Sequence, residues 1–516
     1  MQVYHGTIIT CDDNNTVASY LVEKEGRIAY VGDTLPEQYG SAEVIELGKG
    51  ALVPSFVDTF SHYSAFSYLQ DLLYFEQIES NTKILEGIKK FAQNSKDQYI
   101  VCFGASGYSV EEGHLILKEQ LDAVCPDRPV CVVKYDARSC VVNTAFLRQI
   151  KDRVNGIRGF NEATGELSKE AFLVCMDVVT KSLSTRRVID SMVRNIDRVA
   201  AKGIGMVHSS GGIGSVRETD VDMENSVARG LDNGFQMRIA VTSTDVDKII
   251  KKGFRTIDIR PLDGFFGTED AALIEPYGNS TEKGVLYFTD SELLSICKEA
   301  NRKGLQIRLR AVGDAAFEQA TRVLRETLED YPRYDHRHMI IHACLPTASG
   351  IEICSRYKIY LSCHPSYIRW GMESKDHLES VLGHRLYELN PIKRYLDAGI
   401  KVCFSSNAPS TMPDPIRWIH NACNNHTGDN SVSVYEALRM CTINSCYSSF
   451  DERERGTLEV GKVADMVVLD TDPYDVPVEK LENIKVSQLY LGGKPYEHSK
   501  IGAMTTMLRG MFPQAT

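Results

Sequence analysis

The sequence predicts an α/β protein whose main part is a (β/α)8 barrel of the TIM type. A composite β-sandwich domain from both termini and an insertion after strand one accompany the barrel. Three observations predict this architecture. Eight short apolar runs alternate with helical patterns through the middle of the chain, β-type segments stand at both ends, and one excursion interrupts the alternation after the first run.

The barrel prediction depends on the eight apolar runs. They are ALVPSFVD (51–58), IGMVHS (204–209), QMRIAV (236–241), FRTIDI (254–259), LQIRLRA (305–311), HMIIHA (338–343), KIYLSC (358–363) and IKVCFS (400–405). Between most of them apolar residues recur three or four positions apart, as in 291–304 and 315–331, which indicates amphipathic helices. Strand and helix in eightfold alternation are typical of a closed parallel barrel.

The chain ends predict a second unit. Residues 3–32 form three alternating runs separated by turn residues, which indicates an antiparallel meander, and similar signals return at 463–472 and 485–496. The predicted division is therefore 1–52 plus 453–497 for the β-sandwich domain and 53–452 for the barrel. The barrel part includes the insertion 63–200, and 498–516 form a C-terminal tail.

Composition excludes several classes of function. The 516 residues contain 58 Lys+Arg and 69 Asp+Glu, a net charge of −11, without the basic clusters that nucleic acid or an anionic membrane requires. The 14 cysteines are scattered without a C-x-x-C pair, which favours free thiols in a reducing compartment. No signal peptide and no long apolar stretch is visible, so we expect a cytoplasmic protein.

The barrel prediction also locates the chemistry. In such barrels the active site lies at the carboxyl ends of the strands. The polar residues at or just after the predicted strand ends are Asp58 and His62, His208, Arg260 and Asp263, Arg310 and Asp314, His342, His364, and Asn407.

Several segments resemble the amidohydrolase superfamily, specifically the family 3 amidohydrolases. They are VPSFVDTFSH (53–62), NEATGELSKEAF (161–172), GIGMVHSSGG (203–212), DGFFGTEDAALIEPY (263–277), GLQIRLRAVGDAAFEQA (304–320), HMIIHACL (338–345), LSCHPSY (361–367), LDAGIKVCFSSNAPSTMPDP (396–415) and GTLEVGKVADMVVLD (456–470). The resemblance implies hydrolysis of C–N bonds with one or two divalent metals, which lower the pKa of bound water and polarise the attacked carbonyl.

The resemblance also implies a ligand set, from which this sequence departs. The family has a His-x-His pair after strand one, a carboxylated Lys after strand four, a His after each of strands five and six, and an Asp after strand eight. Here Phe60 replaces the first His, Ile259 or Arg260 stands at the Lys position, and Arg310 and Asn407 replace two further ligands. Only His62 and His342 remain, so we expect no dinuclear centre and no cofactor. The alternative is a single divalent metal such as Zn²⁺ on His62, His342 and a third ligand.

Arginines at or near former ligand positions suggest an anion-binding site. Arg310, Arg260 and Arg138 are predicted to bind a substrate carboxylate, or Arg310 to stabilise an oxyanion. The structural alternative is that each forms an ion pair, for example Arg310 with Asp314 or Asp58. His342 is the predicted general acid/base, against the alternative of a hydrogen-bonded core histidine.

The remaining candidates have weaker signals. Asp263 and Asp314 are candidate bases or orienting groups, although carboxylates beside Gly are commonly turn formers. Asn407 can only donate or accept a hydrogen bond. His208, His364 and Tyr108 are candidate substrate contacts. Cys363 and His364 cannot form a nucleophile–base pair by themselves, because adjacent strand residues point to opposite faces.

The sequence therefore favours an amidohydrolase-like enzyme that acts on a small anionic molecule, by metal-independent hydrolysis of a non-peptide C–N bond or by other acid/base chemistry. One alternative is a non-catalytic pseudoenzyme that binds a metabolite or a partner protein. The other is a mononuclear metal-dependent amidohydrolase. A homodimer is compatible with the sequence.

Overall fold

The computed structural model describes residues 1–75, 78–211, 219–278, 280–369 and 371–512. Gly212, which ends one of the family-like segments, and residues 513–516 of the predicted tail lie outside the described residues. In the described part of the chain, no helix combines the length and apolarity that crossing a membrane requires.

Strands occur at both ends, in the insertion and through the barrel. They are β1 (Gln2–Ile9), β2 (Val17–Lys24), β3 (Arg27–Gly32), β4 (Glu43–Pro54), β5 (Phe56–Ser61), β6 (Leu73–Tyr74), β7 (Ile100–Ala105), β8 (Val130–Lys134), β9 (Ser139–Val142), β10 (Phe160–Asn161), β11 (Glu166–Ser168), β12 (Ile204–Gly211), β13 (Gln236–Thr242), β14 (Thr256–Asp258), β15 (Gln306–Ala311), β16 (Met339–His342), β17 (Tyr360–Cys363), β18 (Val402–Phe404), β19 (Met466–Leu469), β20 (Val486–Leu491) and β21 (Lys494–Pro495).

Helices connect the barrel strands, cover the insertion and end the described chain. They are α1 (Tyr63–Gln70), α2 (Asn81–Asn94), α3 (Lys118–Val124), α4 (Thr144–Val154), α5 (Lys169–Lys181), α6 (Thr185–Ala200), α7 (Thr219–Gly230), α8 (Val246–Lys251), α9 (Asp290–Arg302), α10 (Asp314–Asp330), α11 (Ala348–Tyr357), α12 (Lys375–Leu382), α13 (Ile392–Asp397), α14 (Pro415–Cys423), α15 (Val434–Cys441), α16 (Ile443–Tyr447) and α17 (Ala503–Met511).

Eight strands form the barrel sheet, in the order β5, β12, β13, β14, β15, β16, β17 and β18, with parallel neighbours. The first and last strands meet through hydrogen bonds from Asn407 N to Phe60 O (2.9 Å) and from His62 N to Ala408 O (2.8 Å). The prediction of an eight-stranded parallel barrel is confirmed.

The first apolar run belongs to two sheets, which corrects its reading as one strand. Residues 51–54 end β4 in the terminal sheet, whereas β5 begins the barrel at Phe56. The backbone changes partner between them, because Ser55 N donates to Asp465 O and Phe56 N donates to Gly203 O, each at 2.9 Å. This change of partner joins the two units within two residues.

Strands from both termini form one seven-stranded sheet in the order β3, β2, β1, β4, β19, β20 and β21. The predicted N-terminal meander is present as the antiparallel set β1–β2–β3. Strand β4 pairs in parallel with β1 and antiparallel with β19, so it connects the N-terminal strands to the C-terminal ones. An apolar cluster that includes Tyr4, Leu52 and Met466 forms the core of this unit.

The insertion forms a six-stranded sheet in the order β6, β7, β8, β9, β11 and β10. Cys131 and Val133 of β8 belong to one apolar cluster, and Val130 and Val132 belong to another. Because alternate strand residues point to opposite faces, the sheet has a separate core on each face.

Candidate active site

Three histidines surround Phe60 at the carboxyl ends of the barrel strands. The Phe60 side chain is fully buried. Its ring centroid lies 5.1 Å from that of His62 and 6.0 Å from those of His342 and His364. The strand-end rule therefore brings residues at the ends of β5, β16 and β17 to one place, where the rings of His342 and His364 also contact each other at 4.6 Å.

Arg308 and Arg310 add two positive charges beside Phe60. Their guanidinium carbons lie 5.1 and 5.8 Å from the ring centroid, and the two residues share one face of β15. Arg308 is 4% exposed and Arg310 6%. Within the described residues, Nε of both and Nη2 of Arg308 lack a hydrogen-bond partner. Buried N–H groups without partners are rare, and a negatively charged oxygen would satisfy them.

Asp258, the last residue of β14, faces both arginines. Its Oδ1 lies 3.6 Å from Arg310 Nε and its Oδ2 3.9 Å from Arg308 Nη2, while the Ser210 hydroxyl donates to Oδ2. These charge separations are longer than hydrogen bonds. Two guanidinium groups thus face one fully buried carboxyl group, which leaves room for an additional negative charge.

The ion-pair alternative for Arg310 was wrong about the partner, because Arg310 faces Asp258 rather than Asp314 or Asp58. Asp314 Oδ1 accepts from the backbone N–H groups of Ile274 and Ala315 instead. The parallel register of β14 and β15 pairs Asp258 with Arg308, two residues before Arg310, and this register decides which carboxylate the arginines meet.

His342 ends β16 in the left-handed backbone region, with φ +73°, and Ala343 follows with φ +46°. Nδ1 of His342 has no hydrogen-bond partner in the described part of the chain. Burial, and then the neighbouring His364 and Arg310, lower the pKa of His342 well below its usual value. The imidazole is therefore neutral and carries a lone pair that can accept a proton.

The other two histidines are also neutral. Nδ1 of His364 lies 3.0 Å from the Ser405 hydroxyl oxygen and 3.2 Å from the Ser405 carbonyl oxygen, whereas Nε2 has no hydrogen-bond partner among the described residues. Burial lowers the pKa of His364 to about 3. Burial and then the charge of Arg310 lower the pKa of His62 to about 3.

The strand-eight loop is fixed to strand one by Asp58. Its carboxylate accepts from Ser406 N (2.9 Å) and Ser406 Oγ (2.6 Å), while burial raises the pKa of Asp58 to about 7. Asn407 follows in the left-handed region, φ +54°, which Asn tolerates. Its side-chain amide donates to the Tyr367 hydroxyl at 2.5 Å, so Asn407 lies at the mouth as a hydrogen-bonding residue.

Asp263 holds backbone rather than facing the imidazoles. Its two oxygens accept from the N–H groups of Val312 (2.9 Å), Gly313 (2.8 Å) and Ala272 (3.0 Å). Burial raises the pKa of Asp263 to about 7, and the three donors oppose that rise. Asp263 therefore connects the loop after β14 to the loop after β15.

Arg138 and Tyr108 connect the insertion to this loop. The Arg138 guanidinium carbon lies 5.2 Å from the Phe265 ring centroid, which is 5.8 Å from that of His342. Tyr108 donates its hydroxyl to Gly267 O at 2.9 Å and stacks on His377 at 4.0 Å. Arg138 thus reaches the edge of the histidine group, whereas the described contacts of Tyr108 lie where the insertion packs against Gly267 and His377.

Two predicted pocket residues lie elsewhere. Arg260 is exposed, so the second buried guanidinium belongs to Arg308 instead. Nδ1 of His208 lies 3.4 Å from Ser448 Oγ, and Ser448 O accepts from Gln306 at the start of β15. Since that start is the amino end of the strand, His208 points toward the opposite end of the barrel from His342.

Comparisons with known proteins agree with this fold. The model of an amidohydrolase family matches residues 43–496. This chain belongs to the amidohydrolase family. YtcJ of Bacillus subtilis (strain 168) is 25% identical across 96% of this chain and 99% of its own length. The N-substituted formamide deformylase of Arthrobacter pascens is 22% identical across 96% and 97%. A crystal structure of a metal-dependent hydrolase from Pyrococcus furiosus has a TM-score of 0.74 at 22% identity, covering 92% of this chain and 99% of that one.

The residues of this family member do not fit the dinuclear centre that the resemblance implies. Phe60, Arg310 and Asn407 stand at three ligand positions, and neither a phenyl ring nor a guanidinium offers a cation a suitable lone pair. The Phe60 ring contacts both remaining histidines, and two guanidinium groups lie against it. Among the described residues at the mouth, no three ligand atoms of His, Cys, Asp or Glu lie within 4.8 Å of one another.

The sequence patterns did not single out Arg308 and Asp258. Arg308 lies within QIRLRA of β15, and Asp258 ends the three-residue strand TID, β14. A charged residue in a buried parallel strand requires a partner. The charges of Arg308 and Asp258 within barrel strands were therefore the signal that could have identified both residues.

Proposed function

We propose that this amidohydrolase-family chain is an enzyme that hydrolyses a non-peptide C–N bond in a small anionic molecule without the family's metal centre. The observation that carries the proposal is the pair of buried guanidinium groups of Arg308 and Arg310, with unpartnered N–H groups, beside the neutral His342. The name of the Arthrobacter relative, N-substituted formamide deformylase, supports C–N chemistry.

The guanidinium groups supply positive charge that a metal supplies elsewhere in the family. In the proposed step the substrate carbonyl oxygen lies against Arg310, and water attacks the carbonyl carbon. His342 accepts a proton from that water, and the oxygen becomes an oxyanion that the guanidinium N–H groups stabilise. His342 then returns the proton to the nitrogen as the C–N bond breaks, which releases a carboxylic acid and an amine.

Arg138 supports the preference for an anionic substrate. Its side chain is 28% exposed, and it lies 3.9 Å from Asp270, a separation that leaves donors available. Its place at the edge of the histidine group suits a substrate carboxylate that points away from the reacting carbonyl.

Matched substrates test the proposal. N-formyl amino acids carry the proposed carboxylate, and their primary amides lack it. We expect higher kcat/KM for the acids, and loss of about 10²–10³-fold in kcat for Arg310→Met. Arg333→Met is the control, because it removes a partly buried arginine away from the site. The Arg333 guanidinium donates to the backbone carbonyls of Leu305 and Gly304.

Two results would contradict the proposal. Activity that disappears after dialysis against a chelator and returns with Zn²⁺ would establish the mononuclear metal alternative. Binding of the acids without turnover, by a protein that is folded by circular dichroism, would establish the pseudoenzyme alternative.

All fourteen cysteines are free and buried, which supports the further proposal of a cytoplasmic location.

A further inference from the structure

Three cysteines converge inside the insertion, in the apolar core on one face of its sheet. Cys131 lies on β8, Cys140 on β9 and Cys175 on α5, and all three side chains are fully buried. Cys175 Sγ lies 3.6 Å from Cys131 Sγ and 3.6 Å from Cys140 Sγ. All three sulfur atoms lie within 4.8 Å of one another, and no other group of three ligand-type side chains in the described residues is as close.

We propose that this three-cysteine cluster is a binding site for one Cu(I) ion. A metal in the plane of three sulfurs, with metal–sulfur bonds of about 2.3 Å, requires sulfur–sulfur distances of roughly 4.0 Å. The two 3.6 Å distances come close to that triangle, so a small outward movement would admit the ion. Soft thiolate ligands select Cu(I), Zn²⁺ and iron–sulfur clusters among the metals available to proteins.

The absence of a fourth ligand favours Cu(I) over Zn²⁺. Structural zinc sites are almost always four-coordinate, and no His, Asp or Glu joins the cluster among the described residues. The surrounding core is apolar and includes Phe103, Phe146, Leu167 and Phe172. Such surroundings offer neither a fourth donor nor a site for the bound water that would complete zinc coordination.

The test uses the full chain under anaerobic conditions, titrated with Cu(I) as its acetonitrile complex against a colorimetric Cu(I) chelator. We expect one tightly bound ion per chain, and X-ray absorption should show three sulfur neighbours and no nitrogen or oxygen neighbour. Bound ion should also raise the Tm, because a ligand that binds only the folded state stabilises it.

Cysteine variants assign the site. Cys175→Ala removes the sulfur that contacts the other two and should abolish tight binding. Cys102→Ala is the matched control, because Cys102 is equally buried but belongs to the core on the opposite face of the same sheet. It should keep the wild-type stoichiometry.

Three outcomes would overturn the proposal. These are no tight Cu(I) binding by the folded wild type, equal binding by Cys175→Ala and wild type, and nitrogen or oxygen ligation in the absorption spectrum. Near-ultraviolet circular dichroism establishes that each variant is folded. If Cys175→Ala does not fold, Cys140→Ala is measured in its place, with the same loss of binding expected.

Discussion

Two regions of the barrel mouth bury charge in opposite ways. In the Asp263 anchor, formed by Asp263 and the backbone N–H groups of Ala272, Val312 and Gly313, the carboxylate receives three hydrogen bonds of 2.8–3.0 Å. In the arginine cluster, formed by Phe60, Asp258, Arg308, Arg310 and His342, nitrogen atoms of both arginines, His342 Nδ1 and Asp258 Oδ1 lack hydrogen-bond partners among the described residues.

The difference separates a structural role from a functional one. Buried polar groups in native proteins are nearly always hydrogen-bonded, and an unpaired one costs roughly 1–3 kcal/mol. The anchor meets that requirement, so its carboxylate stabilises the loops. The arginine cluster does not, and a site that tolerates such a cost is a candidate for binding and catalysis.

The largest expected effect lies in the arginine cluster. His342→Gln removes the proposed base while keeping a polar side chain of similar length, and kcat should fall by about 10²–10⁴-fold with little change in stability. Steady-state kinetics with N-formyl amino acids and urea unfolding measure the two quantities. Wild-type kcat in this variant would show that His342 is not the base.

The second effect tests the anchor. Asp263→Asn places an amide N–H₂ against backbone donors, and the free energy of unfolding should fall by about 2–3 kcal/mol. Asp314→Asn is the control, because a single oxygen of Asp314 accepts both of its backbone hydrogen bonds, at 2.9 Å, and the amide oxygen can replace it. Equal losses in urea unfolding for the two variants would contradict the assignment.

The third effect is a pH dependence of the free energy of unfolding, which we expect to be the same for His62 at the barrel mouth and for His208, which points toward the opposite end. Burial lowers the pKa values of His62 and His208 to about 3, below the ordinary 6.5, so stability is lost as pH falls from about 6.5 toward 3. Each histidine contributes a slope of about 1.4 kcal/mol per pH unit in that window. Denaturant unfolding at pH 4–6 should show this slope reduced in both His62→Gln and His208→Gln. An unchanged slope would mean that the histidine is protonated in the folded state.

The smallest effect concerns Arg260, which sequence analysis grouped with Arg310. Because Arg260 is exposed, Arg260→Ala should change the free energy of unfolding by less than about 0.5 kcal/mol and leave kcat/KM unchanged. A large fall in kcat/KM would show that Arg260 contributes to substrate binding or catalysis.

Local pattern was enough to predict the eight-stranded barrel, apart from the start of its first strand, and the positions of His62, His342 and His364 at strand ends. Periodicity is written into consecutive residues, and the strand-end rule needs no distances. The partner of Arg310 could not be predicted in this way. The sequence suggested Asp314 or Asp58, whereas the register of β14 and β15 brings Asp258 to the arginines, because partners on different strands are set by pairing rather than by spacing.

The sequence by itself determined the class of fold and the family, and its resemblance to that family predicts that Phe60, Arg310 and Asn407 replace metal ligands. Only the tertiary structure decided that Arg308 joins Arg310, that Asp263 holds backbone, and that three scattered cysteines meet in one core. The physical reason is that residue chemistry is local, whereas satisfaction of a buried charge or thiol depends on groups that folding brings from distant parts of the chain.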